Sequence, residues 1–514
     1  MQFYVIHSQH YKPCGLEATT TIKMIVAIIR SSSIFVVSVV LLLLLWISST
    51  TSTPISASNG VFSVKYRYAG RDRSLIALKA HDSRRQLRIL AGVDLPLGGS
   101  GRPDAVGLYY AKIGIGTPSK DYYVQVDTGS DIMWVNCIQC TECPKRSSLG
   151  IDLTLYNIKD SNTGELVSCD EDFCAEINGG PVLECTANVS CTYFEMYGDG
   201  SSTTGYFVKD VVQYDRVSGD LHTTSANGSI IFGCGARQSG DLGSSDEALD
   251  GILGFGKSNS SVISQLASSG KVKKIFAHCL DGINGGGIFA IGHVVQPKVN
   301  TTPLVPNQLH YNVNMRAVEV GHGFLDLPTD VFEVGDKKGT IIDSGTTLAY
   351  LPDVVYVPLV NKIVSQQPDL KVHTVHEQYT CFRYSESVDD GFPPVTFHFE
   401  NSLFLKVLPH EYLFPMDDLW CIGWQNSGNQ SRDRKDLILL GDLVLSNKLV
   451  LYDLENQVIG WTEYNCSSTI RVQDEQTGTV HLVGPHYLPS ASNLNTQRAI
   501  IFLLLITLLH ISVY

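Results

Sequence analysis

The sequence predicts an all-β protein made of two duplicated halves that meet at a central cleft, and two repeated phrases predict it. In Val124-Gln125-Val126-Asp127-Thr128-Gly129-Ser130 an alternating apolar run stops at an Asp, followed by a small hydroxylated residue and a Gly. That is the pattern of a strand delivering a carboxylate onto a tight turn. The phrase returns 216 residues later (343 − 127) as Thr340-Ile341-Ile342-Asp343-Ser344-Gly345-Thr346. A second pair, Asp250-Gly251-Ile252-Leu253-Gly254 and Asp436-Leu437-Ile438-Leu439-Leu440-Gly441-Asp442, lies downstream of each Asp phrase. In both, apolar residues run into a Gly, where a strand must pass close to another backbone. Two separate duplications in the same order describe two copies of one half-structure.

Facing carboxyls cannot both ionise cheaply, so such a pair holds one proton over a wide acidic range. The ionised member can take a proton from a water while the protonated one donates to a carbonyl oxygen. This is what peptide hydrolysis without a covalent intermediate requires. The titration belongs to the pair, so the proton is assigned to neither Asp127 nor Asp343.

From the first residue onward, composition and segments set the outer bounds. A formal charge of −13 argues against nucleic acid as a partner, because neutralising phosphates takes clustered Lys and Arg. Thirteen Cys point to an oxidising compartment. Residues 1–57 read as a secretory signal region, with the apolar run Ile34 to Ile47 between Arg30 and a stretch of small residues. Its fourteen residues are short for a membrane span of about 20, although an uncleaved anchor is the alternative reading. Residues 58–105 form a basic leader carrying Lys65, Arg67, Arg71, Arg73, Lys79, Arg84, Arg85 and Arg88; it is either an inhibitory propeptide over an acidic cleft or a solvated, disordered segment.

The body then divides into an N-terminal lobe, 106–299, with a Cys-rich insert, and a C-terminal lobe, 300–468. Ile113-Gly114-Ile115-Gly116-Thr117-Pro118 mimics a dinucleotide fingerprint, but no helix opens there and a hairpin turn is expected. The aromatic strands around Tyr197-Gly198-Asp199-Gly200-Ser201 describe a β-hairpin. His398 falls on the polar side of the alternation Val395 to Phe399 and reads as solvated. None of the 15 His sits at a motif position, which leaves a serine or cysteine mechanism without its base.

On these phrases the chain is identified as resembling the pepsin-like aspartic proteases, and within them the cysteine-rich, nepenthesin-like branch of plants, over roughly Gly107 to Cys466. The resemblance implies the bilobal pepsin-like fold, with Asp127 and Asp343 as the catalytic pair. It implies that Thr128 and Ser344 lock the two loops together through their hydroxyls. Ser130 and Thr346 would hydrogen-bond the carboxylates, with Gly129 and Gly345 completing the turns. Tyr197 corresponds to the tyrosine of a flap over the cleft and Trp134 to its indole partner; for isolated aromatics, ordinary core packing would be the simpler account. The resemblance also implies the pairings Cys137 with Cys140, Cys143 with Cys234, Cys169 with Cys191, Cys174 with Cys185, Cys279 with Cys466, and Cys381 with Cys421. Spacing alone fixes none of them, and Cys137, Cys140 and Cys143 are also spaced like a metal knuckle. No metal or cofactor is expected, the partners are peptide or protein substrates, and a monomer is expected. The family also includes binding and inhibitor proteins that keep the fold and lose the chemistry, the alternative function.

Sequons stand at Asn188, Asn227, Asn259, Asn300, Asn429 and Asn465, the last beside Cys466 and the weakest candidate. Residues 469–492 read as a polar stalk. Residues 493–514 read as a GPI-attachment signal, ending in the apolar stretch Ala499 to Tyr514 with no polar tail after it. Ser490 is the expected attachment residue, with Ala491, Ser492 and Asn493 as rivals. The protein is thus expected in the secretory pathway and then on the outer face of the cell membrane.

Overall fold

A computed structural model describes residues 92–488, apart from 102–107, 183–184, 187–188, 336, 377–378, 430–434 and 475–476. The signal region, most of the basic leader and the expected lipid-attachment residues lie outside the described residues.

As the repeated phrases predict, the body is built of strands. One fourteen-stranded sheet runs through it, and the Asp127 strand, Lys120–Asp127, sits near its middle. Alternation decides its facing: Tyr122, Val124 and Val126 are buried while Tyr123 and Gln125 are half-exposed. The strand pairs in parallel with Gly251–Gly254, so that Asp127 lies opposite Gly254. Trp134–Thr141 pairs antiparallel with that same strand. The second half repeats the construction in a five-stranded sheet. There Gly339–Ile342 pairs in parallel with Leu437–Leu440, placing Ile342 opposite Leu440, and Ala349–Leu351 returns antiparallel to it. Both duplicated phrases therefore fold into the same three-strand device.

The two halves share more than a cleft. Lys448–Asp453 and Val458–Glu463, from the C-terminal half, continue the large sheet beside Ile275–Leu280 from the N-terminal half. At this junction Phe276 stacks on Tyr452 at 4.5 Å, and Tyr311 meets Tyr452 edge-on at 4.7 Å. Large aromatic faces buried in such geometry tie the two halves together at this junction.

Part of the region assigned to the leader is folded, and the stalk reading is corrected. Val93–Ser100, assigned by its neighbours to the basic leader, is a buried strand of the large sheet. The stretch from 469, read as a polar stalk, instead forms the hairpin Ile470–Gln473 and Val480–Val483 in a three-stranded sheet with His293–Gln296. Ile470, Val472 and Val483 are buried against Cys279, Ile288 and Leu449. A few apolar residues on alternate positions sufficed to dock it, and average polarity concealed them.

The cysteine pairing is corrected as well. Cys279–Cys466 and Cys381–Cys421 pair as expected. Cys137 pairs with Cys234 instead of Cys140, because parallel pairing puts Val135 opposite Cys234. Cys140, near the end of Trp134–Thr141, then bridges Cys143 just beyond that strand. In the insert, Cys174 bridges Cys191 and Cys169 bridges Cys185. The helix Asp172–Ile177 turns Cys174 inward onto buried Cys191, a tertiary fact that spacing does not encode.

His398 is also more than solvated: its Nε2 meets Glu319 Oε2 at 2.9 Å across neighbouring strands, far along the chain from any motif. Asn227, Asn259, Asn300 and Asn465 are exposed. Asn188 and the side chain of Asn429 lie outside the described residues.

Candidate active site

Each Asp leaves the end of its strand and is caught by its own turn. Gly129 N–H donates to Asp127 Oδ1 at 2.8 Å and Ser130 Oγ–H to Oδ2 at 2.5 Å. In the second half, Gly345 N–H donates to Asp343 Oδ1 at 2.8 Å and Thr346 Oγ1–H to Oδ2 at 2.8 Å. Four bonds in two matching sets hold the inner and outer oxygens of each carboxylate in corresponding positions.

The glycines report how closely the two loops face each other. A Cβ on Gly129 would lie 2.5 Å from Asp343 Oδ1, and one on Gly345 would lie 2.0 Å from Asp127 Oδ1. Each turn thus presses against the other half's carboxylate, which is why only Gly fits. Both carboxylates are nearly buried, at 5% and 8% exposure. Burial, with Asp343 as the next contributor, pushes the Asp127 carboxyl well above the ordinary carboxylate range.

The lock between the loops has one working side. Ser344 N–H donates to Thr128 Oγ1 at 2.9 Å. Ser344 Oγ, expected to mirror Thr128, is buried without a hydrogen-bond partner. Losing the threonine methyl leaves the serine rotamer free to turn away. Gln125 adds a bond across the halves from its Nε2 to Gly345 O at 3.3 Å.

Above Asp127 stands the predicted hairpin, formed by Thr192–Met196 and the start of Ser202–Gly219. Trp134 Nε1–H donates to Tyr197 Oη at 2.6 Å. Burial first, and then the charge of Asp127, push the Tyr197 phenol above its usual range, so it stays a neutral donor.

Two groups were not anticipated as parts of this site. Asp442 ends the second Gly phrase; its N–H donates to Thr346 O at 2.7 Å, and it is 1% exposed with Oδ1 unpartnered. Burial, then Asp343 and Asp127, drive its carboxyl well up. Tyr452, stacked on Phe276 with its hydroxyl 3.1 Å from His278 Nε2, read only as part of a closing strand. The Asp in Leu-Gly-Asp was visible as a repeat and could have been flagged; the tyrosine carried no local signal.

Sequence comparison agrees with this geometry. Residues 109–293 match the family model described as "Xylanase inhibitor N-terminal" and residues 310–463 the one described as "Xylanase inhibitor C-terminal". The chain is 51% identical over 440 residues to Aspartic proteinase 36 of Arabidopsis thaliana, covering 85% of this chain and 90% of that one. It is 26% identical to aspartic proteinase nepenthesin-2 of Nepenthes gracilis, covering 71% and 79%. Among solved structures, basic 7S globulin from soybean superposes with a TM-score of 0.56 at 21% identity, covering 73% of this chain and 96% of that one. The fold and the paired Asp turns define a pepsin-like aspartic protease scaffold. The chain belongs to the plant pepsin-like aspartic proteases.

Proposed function

We propose that the protein is an aspartic endopeptidase that works at acid pH on the outer face of the cell membrane. The observation that carries this reading is the mutual approach of the two Asp turns, each glycine lying against the opposite carboxylate. Asp127 and Asp343 share one proton and hold the attacking water between them. The ionised carboxylate takes a proton from that water as its oxygen adds to the scissile carbonyl carbon, and the protonated one gives its proton to the carbonyl oxygen. Collapse of the resulting diol breaks the C–N bond, the nitrogen leaving with a proton from the pair. Ser130 and Thr346 fix each carboxylate's outer oxygen. Tyr197, held by Trp134, closes the hairpin over the substrate and limits water.

A second reading, a binding or inhibitor protein on the same scaffold, is favoured by the inhibitor name of the family models and the globulin name of the solved relative. The complete set of Asp turns and the hairpin tyrosine argue for the enzyme. A peptide-library digest at acid pH, with and without pepstatin and beside Asp127→Asn, separates the two. Pepstatin-sensitive cleavage absent from the variant supports the peptidase; no cleavage by the intact protein sinks it. Attachment through a lipid at Ser490 is part of the proposal, and release from membranes by phosphatidylinositol-specific phospholipase C tests it.

A further inference from the structure

We infer that Glu195, on the inner face of the hairpin over the cleft, is a specificity residue that together with Asp131 selects a substrate side chain bearing a positive charge. The inference deepens the proposed peptidase reading and rests on it for a peptide as the ligand.

The hairpin strand Thr192–Met196 carries its polarity inside out. Alternate residues of a strand share a face. Phe194 and Met196 share one and are 59% and 62% exposed. Tyr193, Glu195 and Tyr197 share the other. Of these Tyr193 is buried and Glu195 half-buried, and both tyrosines pack in the cluster that contains Ile132 and Trp134. The strand thus exposes two apolar side chains and turns a carboxylate in under the hairpin. The opposite facing would bury more apolar surface and leave the acid in water, so stability is given up here. Such departures from the local pattern belong to functional sites.

The carboxylate that is turned in has no counter-ion. Among the described residues no Lys, Arg or His pairs with Glu195, and its side chain accepts no hydrogen bond. Burial, then the charge of Asp131, push its carboxyl up. Asp131 follows the Asp127 turn and is anchored by one oxygen only. Its Oδ1 accepts the Ser258 N–H at 2.9 Å, and a Cβ on Gly256 would lie 2.2 Å from that oxygen. Burial pushes this carboxyl up as well, opposed by the Ser258 bond and by the charges of His310 and Lys257. Lys257 is itself engaged, its Nζ donating to Gln308 O at 3.1 Å. Two carboxyls that burial holds up are therefore left short of positive charge. An incoming ammonium or guanidinium supplies it, favouring the ionised carboxylate and forming a charge-assisted hydrogen bond with it.

Glu195 is two residues from Tyr197, a span of about 7 Å along a strand. Side chains on one face of an extended substrate have the same spacing. The charge that Glu195 reads therefore lies one or two residues from the scissile bond.

The test uses the intact protein and reporter peptides on one apolar frame. Lys, or norleucine as its uncharged analogue, is placed in turn at each position flanking the scissile bond. We expect one position at which kcat/KM for Lys exceeds that for norleucine by about tenfold, and in Glu195→Gln that ratio should fall toward unity. No Lys preference at any position overturns the proposal and leaves the peptidase reading standing. So does a ratio that Glu195→Gln keeps, even if both rates fall together, which would mark a structural role. The same peptides with a hydroxyethylene group in place of the scissile amide are titrated at acid pH by fluorescence anisotropy. A Lys preference in their Kd that Glu195→Gln abolishes supports the proposal even where no peptide is cleaved, an outcome that would sink the peptidase reading alone. Binding without that preference, or no binding of any of them, overturns the proposal. If Glu195→Gln does not fold, Asp131→Asn takes its place: a reduced Lys ratio supports the proposal and an unchanged one overturns it.

Discussion

The two Asp turns are near copies in sequence, yet only one of them is fully tied down. The first has a threonine whose hydroxyl accepts the other loop's N–H. The second has a serine whose hydroxyl is buried and unpartnered. The first half also carries the hairpin with Tyr197, while the second contributes Asp442 behind its turn. The two carboxylates are thus held alike, while the hydroxyl that bonds across the loops comes from the first half and the buried, unpartnered Asp442 carboxyl oxygen stands behind the second.

If the carboxylates are equivalent in chemistry, Asp127→Asn and Asp343→Asn should each reduce kcat/KM by about 10³-fold or more, at the upper end of the usual acid–base contribution. Cleavage of a reporter peptide at acid pH measures this, and a large residual rate in one variant only would break the equivalence. Tyr197→Phe comes next, because it removes the oxygen that accepts from Trp134. A drop in kcat of about tenfold, equivalent to ~1.4 kcal/mol, is expected with the melting temperature nearly unchanged. Unaltered kinetics would remove Tyr197 from the mechanism.

The lock gives a sharper contrast. Thr128→Val keeps the shape, strands the Ser344 N–H, and should destabilise the protein by about 1–3 kcal/mol. Ser344→Ala removes a hydroxyl that bonds nothing and should be neutral or slightly stabilising. Denaturant titration of both compares them directly; equal losses would mean that the serine does bond in solution.

Much of this was legible before any coordinates. Asp-Thr-Gly-Ser and its repeat fixed the carboxylates and their turns, since a strand ending on a Gly turn is a local event. The strand phrase Asp250 to Gly254 likewise declared its close pass under Asp127. The unreadable parts depend on what lies across from what. Cys137 finds Cys234 only through a parallel register, Val93–Ser100 becomes a core strand by pairing with the distant Gly287–Ile291 as well as with Leu108–Ile115, and the 470–483 hairpin docks on three well-placed apolar residues. Ser344 illustrates the limit most plainly: the residue kept its hydroxyl, and geometry decided that the hydroxyl bonds nothing.

The smallest expected effect concerns Asp442 and the pH range over which the second half stays intact. Its carboxyl is raised in the folded protein, as is that of Asp250, which burial lifts to about 7. A group whose folded pKa exceeds its unfolded value, about 3.9 for Asp, stabilises fully below the unfolded value. That contribution is lost as pH rises toward the folded value, because the unfolded chain ionises freely while the folded chain must keep the proton or bury a charge. For Asp250 the window is about pH 4 to 7. For Asp442 it opens at the same lower limit and extends upward. The intact protein should therefore melt at a lower temperature at pH 7 than at pH 4. Asp442→Asn, which is neutral at both, should narrow that gap by raising the melting temperature at pH 7 while changing little at pH 4. An equal shift at both pH values would mean that Asp442 acts through packing and not through its proton.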